Sequence, residues 1–369
     1  MASSFSSSSS LFSLIIVCIL LITTATPVLG SYYYKSIFSF GDSLADTGNA
    51  GVGKLPNGET YFHRASGRFS DGRVVLDFIA QALGLPLLPP YLGSSKKDLH
   101  QGVNFAIAGA TTLDASFFQE RKIVVSNDDF LGVQLQWFKQ LLPSLCNPSS
   151  EDCREYLKTS LILMGEIGIN DYNLPFTQGK GLEEIRTFVP HVVNAISSVI
   201  KVLIKEGVVA FMVPGIFPIG CSASYLTLFK SPSKGDYDES GCLKWLNEFT
   251  VYHNKFLQKE LDALREEYPK VKIIYADYYN AAMKLYKSPE VLGFKGGALK
   301  ACCGGQGPYN YNPSVGCTSV EAQICDDPST YVNWDGTHFT EAANQFLANA
   351  LIQKNYQFFF PNNNINHYY

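Results

Sequence analysis

Five short apolar runs recur along this chain, each followed by a longer stretch with helical periodicity. That alternation constrains the fold more than any other feature. The runs are Ser36–Phe40, Val103–Ala108, Ser160–Met164, Val208–Val213 and Val271–Ala276. They lack the polar alternation of a strand with one wet face, so they read as strands buried on both faces of a parallel sheet. Helical patterns lie between them at Arg73–Leu83, Val133–Leu142, Leu182–Glu206, Leu243–Tyr268 and Asn280–Tyr286, with a last one at Thr340–Lys354. The alternation predicts a three-layer α/β/α sandwich around a central, mainly parallel five-stranded sheet.

No linker divides the pattern. The Gly/Pro-rich stretches Gly51–Gly72 and Gly293–Asn333 read as long loops on one domain. With 369 residues, 46% of them hydrophobic, the chain can bury a large core. Residues 1–30 read as a signal peptide: a serine-rich start, an apolar run over Leu11–Ile22 and small residues near Gly30. That run is too short to cross a bilayer as a helix, so no stable membrane anchor is expected. The single domain is then 31–369, with a frayed tail over 361–369. Cys18 falls in the leader, and eight cysteines remain: Cys146, Cys153, Cys221, Cys242, Cys302, Cys303, Cys317 and Cys325. An even count in an exported chain predicts disulfides, with Cys146–Cys153 a plausible local pair and the remaining connectivity open. Paired Cys-x-x-Cys spacing is missing, which argues against zinc. The net charge of −4 with no basic run argues against nucleic acid.

The candidate chemistry sits where the predicted strands end. Gly41-Asp42-Ser43-Leu44 places a serine just past the first strand, and a serine hydroxyl needs a base to act as a nucleophile at neutral pH. Trp334-Asp335-Gly336-Thr337-His338 offers one. The three-residue spacing lets the Asp335 carboxylate reach Nδ1 of His338 within one loop and leaves Nε2 for the serine proton. Thr340 reads as the N-cap of the helix that follows. His191 and His253 lie inside helical patterns, where a partly buried structural role is expected. His63, His100 and His367 have no carboxylate at that spacing. Gly109, at the end of the second strand, and Asn170, after the third, offer a backbone N–H and a side-chain amide to an oxyanion. Each segment alone reads as an ordinary turn. Together they follow the first, second, third and last strand–helix junctions and would gather on one edge of the sheet.

This combination resembles the GDSL, or SGNH, esterase/lipase family in its plant form, whose four letters match Ser43, Gly109, Asn170 and His338. Plant-like phrases stand at residues 41–49, 67–73, 213–221 and 334–340. Residues 275–281 and 307–313 resemble the acetylajmalan esterase and sinapine esterase branch. The resemblance implies a flavodoxin-like sandwich and hydrolysis of a small plant-metabolite ester, such as an acetyl ester of an alkaloid or a phenolic ester, through an acyl-enzyme. It implies Ser43, Asp335 and His338 as the catalytic set, with Ser43 and Gly109 N–H and the Asn170 amide as the oxyanion hole. It implies no metal or organic cofactor and a monomer in the apoplast or vacuole. Acyl transfer to an alcohol and a silent binding protein on the same scaffold are the alternatives. Ile169, where many relatives carry a small or polar residue, is a candidate to narrow the cleft beside the oxyanion hole, and Tyr61, Phe62, Tyr91, Tyr309 and Tyr311 are candidates to line a pocket, with plain loop packing as the alternative.

Overall fold

The structure is a computed structural model describing residues 33–51, 53–93, 99–125 and 128–361; the leader reading, Cys18, His367 and most of the tail lie outside them. All five predicted strands form: β1 Ser36–Ser39, β2 Gly102–Asn104, β3 Ser160–Leu163, β4 Ala210–Pro214 and β5 Lys272–Ala276. They pair in parallel in the order β2-β1-β3-β4-β5. Every residue of β1 to β4 is buried, while β5, at the edge, exposes Lys272. The apolar runs thus sit where both sheet faces are covered.

The covering helices are α1 Val75–Ala82, α2 Leu131–Leu145, α3 Glu151–Lys158, α4 Asn170–Thr177, α5 Val189–Glu206, α6 Lys244–Glu267, α7 Tyr278–Lys287 and α8 Glu341–Lys354. α8 packs on α1 and α7 in one layer; α5 packs on α6 and α2 in the other. The pattern expected as one helix over Leu182–Glu206 is two. A short turn of helix, Leu182–Arg186, ends before Pro190, which lies at the start of α5. Proline lacks an N–H and is tolerated in the first turn of a helix, not inside one. The second strand is shorter than its apolar run: Phe105 and Ile107 still donate to the Ser39 and Gly41 carbonyls, while the chain turns into a loop by Ala108.

The chain runs from β1 to β2 on one side, then crosses β1 to reach β3 on the other, so the strand order reverses there. In open α/β sheets the crevice outside the strands' carboxyl ends at such a switch point receives ligands, and 2-1-3-4-5 is the flavodoxin-like order. A side structure flanks this edge. β6 Gly297–Ala301 pairs with β9 Tyr331–Asn333, and β7 Cys303–Gly304 with β8 Gln323–Ile324. The Asp335–His338 loop leaves β9, so the last of the four junctions belongs to this side structure and not to the central sheet. The disulfides are Cys146–Cys153, Cys221–Cys242, Cys302–Cys325 and Cys303–Cys317. The last two close the long loop after residue 293.

Candidate active site

The turn after β1 is built by its own side chains. Asp42 accepts the Leu44 N–H on Oδ1 (3.0 Å), and its carbonyl accepts from Ala45 and Asp46, bending the chain into one tight turn with Ser43 inside it. Gln134 of α2 clamps the preceding peptide, accepting from Gly41 N–H at 2.9 Å and donating to Gly41 carbonyl at 2.8 Å. Asp46 accepts from the N–H groups of Gly48, Asn49, Ala50 and Ala108. Asn49 donates to the carbonyls of Asn104 and Ala106, and Asn104 to that of Ala45. The first and second loops are therefore one hydrogen-bonded unit.

Gly109 stands in that second loop with φ of 82°, a left-handed conformation that a residue with a Cβ adopts only at a cost. Among the described residues, neither its N–H nor that of Ser43 has an acceptor. Asn170 opens α4 after β3. Its Nδ2 donates to Ala110 carbonyl at 2.9 Å and lies 3.5 Å from Asp42 Oδ2, which joins the third loop to the other two. Its own Oδ1 accepts from Asn173 Nδ2 (3.4 Å), and Asn173 Oδ1 accepts from the Tyr225 hydroxyl. This chain fixes which way the Asn170 amide faces. Asp171 anchors the same turn, accepting from the N–H groups of Thr112 and Leu113.

From the side structure, His338 Nε2 comes to 2.7 Å from Ser43 Oγ, across 295 positions of sequence. Its Nδ1 lies 2.8 Å and 3.0 Å from the two oxygens of Asp335. With Nδ1–H donating to Asp335, Nε2 is left to accept the serine hydroxyl. Asp335 also accepts from the N–H groups of Thr337 and His338, at 2.8 Å each. Burial disfavours a charged His338, but the Asp335 carboxylate, with Asp42 behind it, outweighs that and holds the histidine above its ordinary value. Asp335 is pulled below its ordinary value: burial opposes its charge, and His338 with the two N–H groups more than compensates.

Residues unremarkable in the sequence hold this loop. The Phe69 ring lies on His338, centroids 5.1 Å apart. The plant-like phrase at 67–73 serves as a buttress. Arg68 grips buried Asp77 of α1 with two 2.7 Å bonds, and Asp71 caps α8 by accepting the Glu341 N–H at 2.7 Å. Thr340 is the N-cap as expected, accepting from Ala343 N–H at 3.2 Å. Gly336 is covered by Tyr311: a Cβ there would lie 2.2 Å from the tyrosine ring. The Cys303 N–H donates to Trp334 carbonyl at 2.7 Å, and Trp334 N–H to His338 carbonyl at 2.7 Å. The Cys303–Cys317 segment is thereby tied to the base's backbone.

The structure brings Ser43, Asp335 and His338 together and links Asn170 to the loops carrying Ser43 and Gly109. It corrects the aromatic wall. Tyr61 lies under Arg73, Phe62 under Arg68, and Tyr91 stacks on Trp137. Tyr309 packs against the main core. Only Tyr311 of the five is seen against the Asp335–His338 loop. Ile169 is buried in the core, so it does not form a cleft wall. His253 is buried with Nδ1 on the Tyr172 hydroxyl (2.8 Å), and burial drives its pKa down to about 3. His191 is exposed on α5, not partly buried. Gln134 and Asp171 are not legible in the sequence because their partners are distant backbone groups, and Asp46 because its reach to Ala108 adds to an ordinary local turn. The local hint was an Asp just before a Gly-Asn turn at 46–49.

A serine, a histidine and a carboxylate in hydrogen-bond sequence at the carboxyl edge of this sheet define a serine hydrolase. The chain belongs to the GDSL-like lipase/acylhydrolase family, whose model matches residues 37–351, and is accordingly a carboxylic ester hydrolase. It is 51% identical over 334 residues to a GDSL esterase/lipase of Arabidopsis thaliana, covering 88% of this chain and 85% of that protein. It is 51% identical over 338 residues to a sinapine esterase of Brassica napus, covering 88% and 86%. A further Arabidopsis GDSL esterase/lipase is 48% identical over 343 residues, covering 90% and 87%.

Proposed function

We propose that Ser43 is the nucleophile, His338 its general base, Asp335 the group orienting that base, and Ser43 N–H, Gly109 N–H and the Asn170 amide the oxyanion donors. The observation that carries this reading is the 2.7 Å approach of His338 Nε2 to Ser43 Oγ, with Asp335 on the opposite nitrogen. His338 takes the hydroxyl proton as Ser43 Oγ bonds to the ester carbonyl carbon. The oxygen, now negative, is met by the Ser43 and Gly109 N–H groups, which have no other acceptor among the described residues, and by the Asn170 amide, whose long 3.5 Å contact to Asp42 is the one it can give up. His338 then gives its proton to the departing alkoxide. Water repeats the sequence on the acyl-enzyme, losing a proton to His338 and releasing the acid and the serine.

The substrate we propose is a small plant-metabolite ester: a phenolic ester of the sinapine kind, or an acetyl ester of an alkaloid. The likeness to a sinapine esterase supports the first. Four disulfides support folding in an oxidising compartment. Export is tested by sequencing the N-terminus of protein recovered from the medium of expressing plant cells, with Ser31 expected first. Turnover is tested on a chromogenic acetyl ester, then on sinapine and acetylated alkaloids, with and without added alcohols. Ser43→Ala is expected to lose about three orders of magnitude or more in kcat. Equal hydrolysis by wild type and Ser43→Ala defeats the reading. New ester formed in place of free acid converts it to acyl transfer.

A further inference from the structure

Beneath the Ser43 turn lies a pair of carboxyl groups that the mechanism above does not use. Glu166, in the loop after β3, is 2% exposed. Its carbonyl accepts the Asp42 N–H at 3.0 Å, and its carboxyl group lies beside that of Asp42. Asp42 is fully buried and immediately precedes Ser43. Neither Glu166 oxygen has an N–H or hydroxyl donor among the described residues. The cavity of about 20 Å³ beside it is lined by groups such as Leu44, Ile79, Leu163, Met212 and Tyr278, with no Lys, Arg or His.

Two ionised carboxylates only accept, so they cannot bond to each other; with one proton between them they can. No Lys or Arg lines this cavity to offset a second charge. We propose that Glu166 is a positioning residue that keeps a proton at working pH and donates it to Asp42. Asp42, left as an acceptor with one negative charge, then holds the Leu44 N–H and faces Asn170 Nδ2. Glu166 thus acts through Asp42 on the Ser43 turn and the Asn170 amide, and this rests on the reading of Ser43 above. Asp46 faces the pair from the first loop, Asp171 and Tyr172 from α4, Tyr225 from the helix Ala223–Leu228, and Tyr278 from α7; His338 faces Asp42 from the side structure. Burial raises the affinity of both carboxyls for a proton, more so for Glu166. Loss of the shared proton at high pH would leave two like charges between β1 and β3 loops and spread them.

The test uses full-length enzyme and a chromogenic acetyl ester. Glu166→Ala is expected to lower kcat at least tenfold with KM within about twofold. Glu166→Gln should recover most of that loss, because its amide N–H donates where the acid O–H did. Wild-type kcat should fall on the alkaline side, and Glu166→Gln should lack that fall. Infrared spectra at neutral pH should show a protonated carboxyl band in wild type that Glu166→Gln removes. The proposal is overturned if Glu166→Gln is no better than Glu166→Ala, if the alkaline fall persists in Glu166→Gln, or if the infrared difference shows no such band. The infrared measurement needs no turnover, so failure of the Ser43 reading and failure of this one are distinguishable.

Discussion

The two halves of the site are held by different means. Ser43, Gly109 and Asn170 stand on loops leaving three adjacent strands of one buried parallel sheet, and Asp46, Asn49, Asn104 and Gln134 bind the first two loops into the core. Asp335 and His338 stand on a loop leaving a three-residue strand of a side sheet, clasped by Phe69, Tyr311 and a disulfide-closed segment. The sheet side inherits its geometry from the fold itself. The acid–base side is docked onto the sandwich, so its geometry can be loosened while the sandwich stays folded. Cutting the bonds that tie the first half's loops into the core should read mainly as stability, and loosening the clasp on the second mainly as turnover.

The sharpest cut falls on the docked half. Asp335→Asn keeps the shape of the carboxylate but supplies no charge, and kcat is expected to fall by about three to four orders of magnitude. His338 must be neutral to accept the serine proton. Because its pKa is raised in the wild type, the rate should climb with pH through a midpoint above about 6.5. Removing the carboxylate leaves burial opposed only by Asp42, so any residual activity should show that midpoint moved to lower pH. A pH–rate profile of both proteins checks the sign.

The next effect is on the sheet half. Asp46→Ala strips four backbone N–H groups of their acceptor, and a loss of about 3 kcal/mol or more is expected. Urea unfolding measures it; kcat per folded molecule should change far less. The disulfides test the comparison directly. Cys303→Ala with Cys317→Ala should lower kcat roughly tenfold to a hundredfold, since displacements of about 1 Å at the reacting atoms cost that much, with circular dichroism retained. Cys146→Ala with Cys153→Ala, at the junction of α2 and α3, should leave kcat in place. Equal losses in the two pairs would break the distinction between the halves. The smallest effect is expected at Tyr225→Phe. It removes one donor from the chain that orients Asn170 and should lower kcat about fivefold with little change in KM, as befits one hydrogen bond of about 1 kcal/mol.

Legibility in the sequence followed the range of the interactions. The five strands were readable because burial on both faces demands uninterrupted apolar side chains. β2 is shorter than its pattern because Phe105–Ala108 are as apolar as a strand, yet Asn49, 57 residues before Ala106, donates to the Ala106 carbonyl and helps to hold that segment as a loop. α3 was passed over because only Cys153 and Leu157 of it are buried, which leaves little apolar periodicity to read. The local pair Cys146–Cys153 was foreseeable from separation alone. The nested arrangement Cys302–Cys325 and Cys303–Cys317 was not, since adjacent cysteines give no local reason to choose between partners.

By itself, then, the sequence determined an alternating α/β architecture and a chemistry. The Asp335–His338 pair needs only one loop of backbone to form, and strand ends are marked by where apolar runs stop. Tertiary structure alone decided the rest: that His338 meets Ser43 from outside the sheet, that Phe69 and Tyr311 clasp the base, and that Glu166 lies against Asp42. Those contacts depend on strand order and loop path, which no local propensity encodes, because they join residues brought together only when the whole core closes.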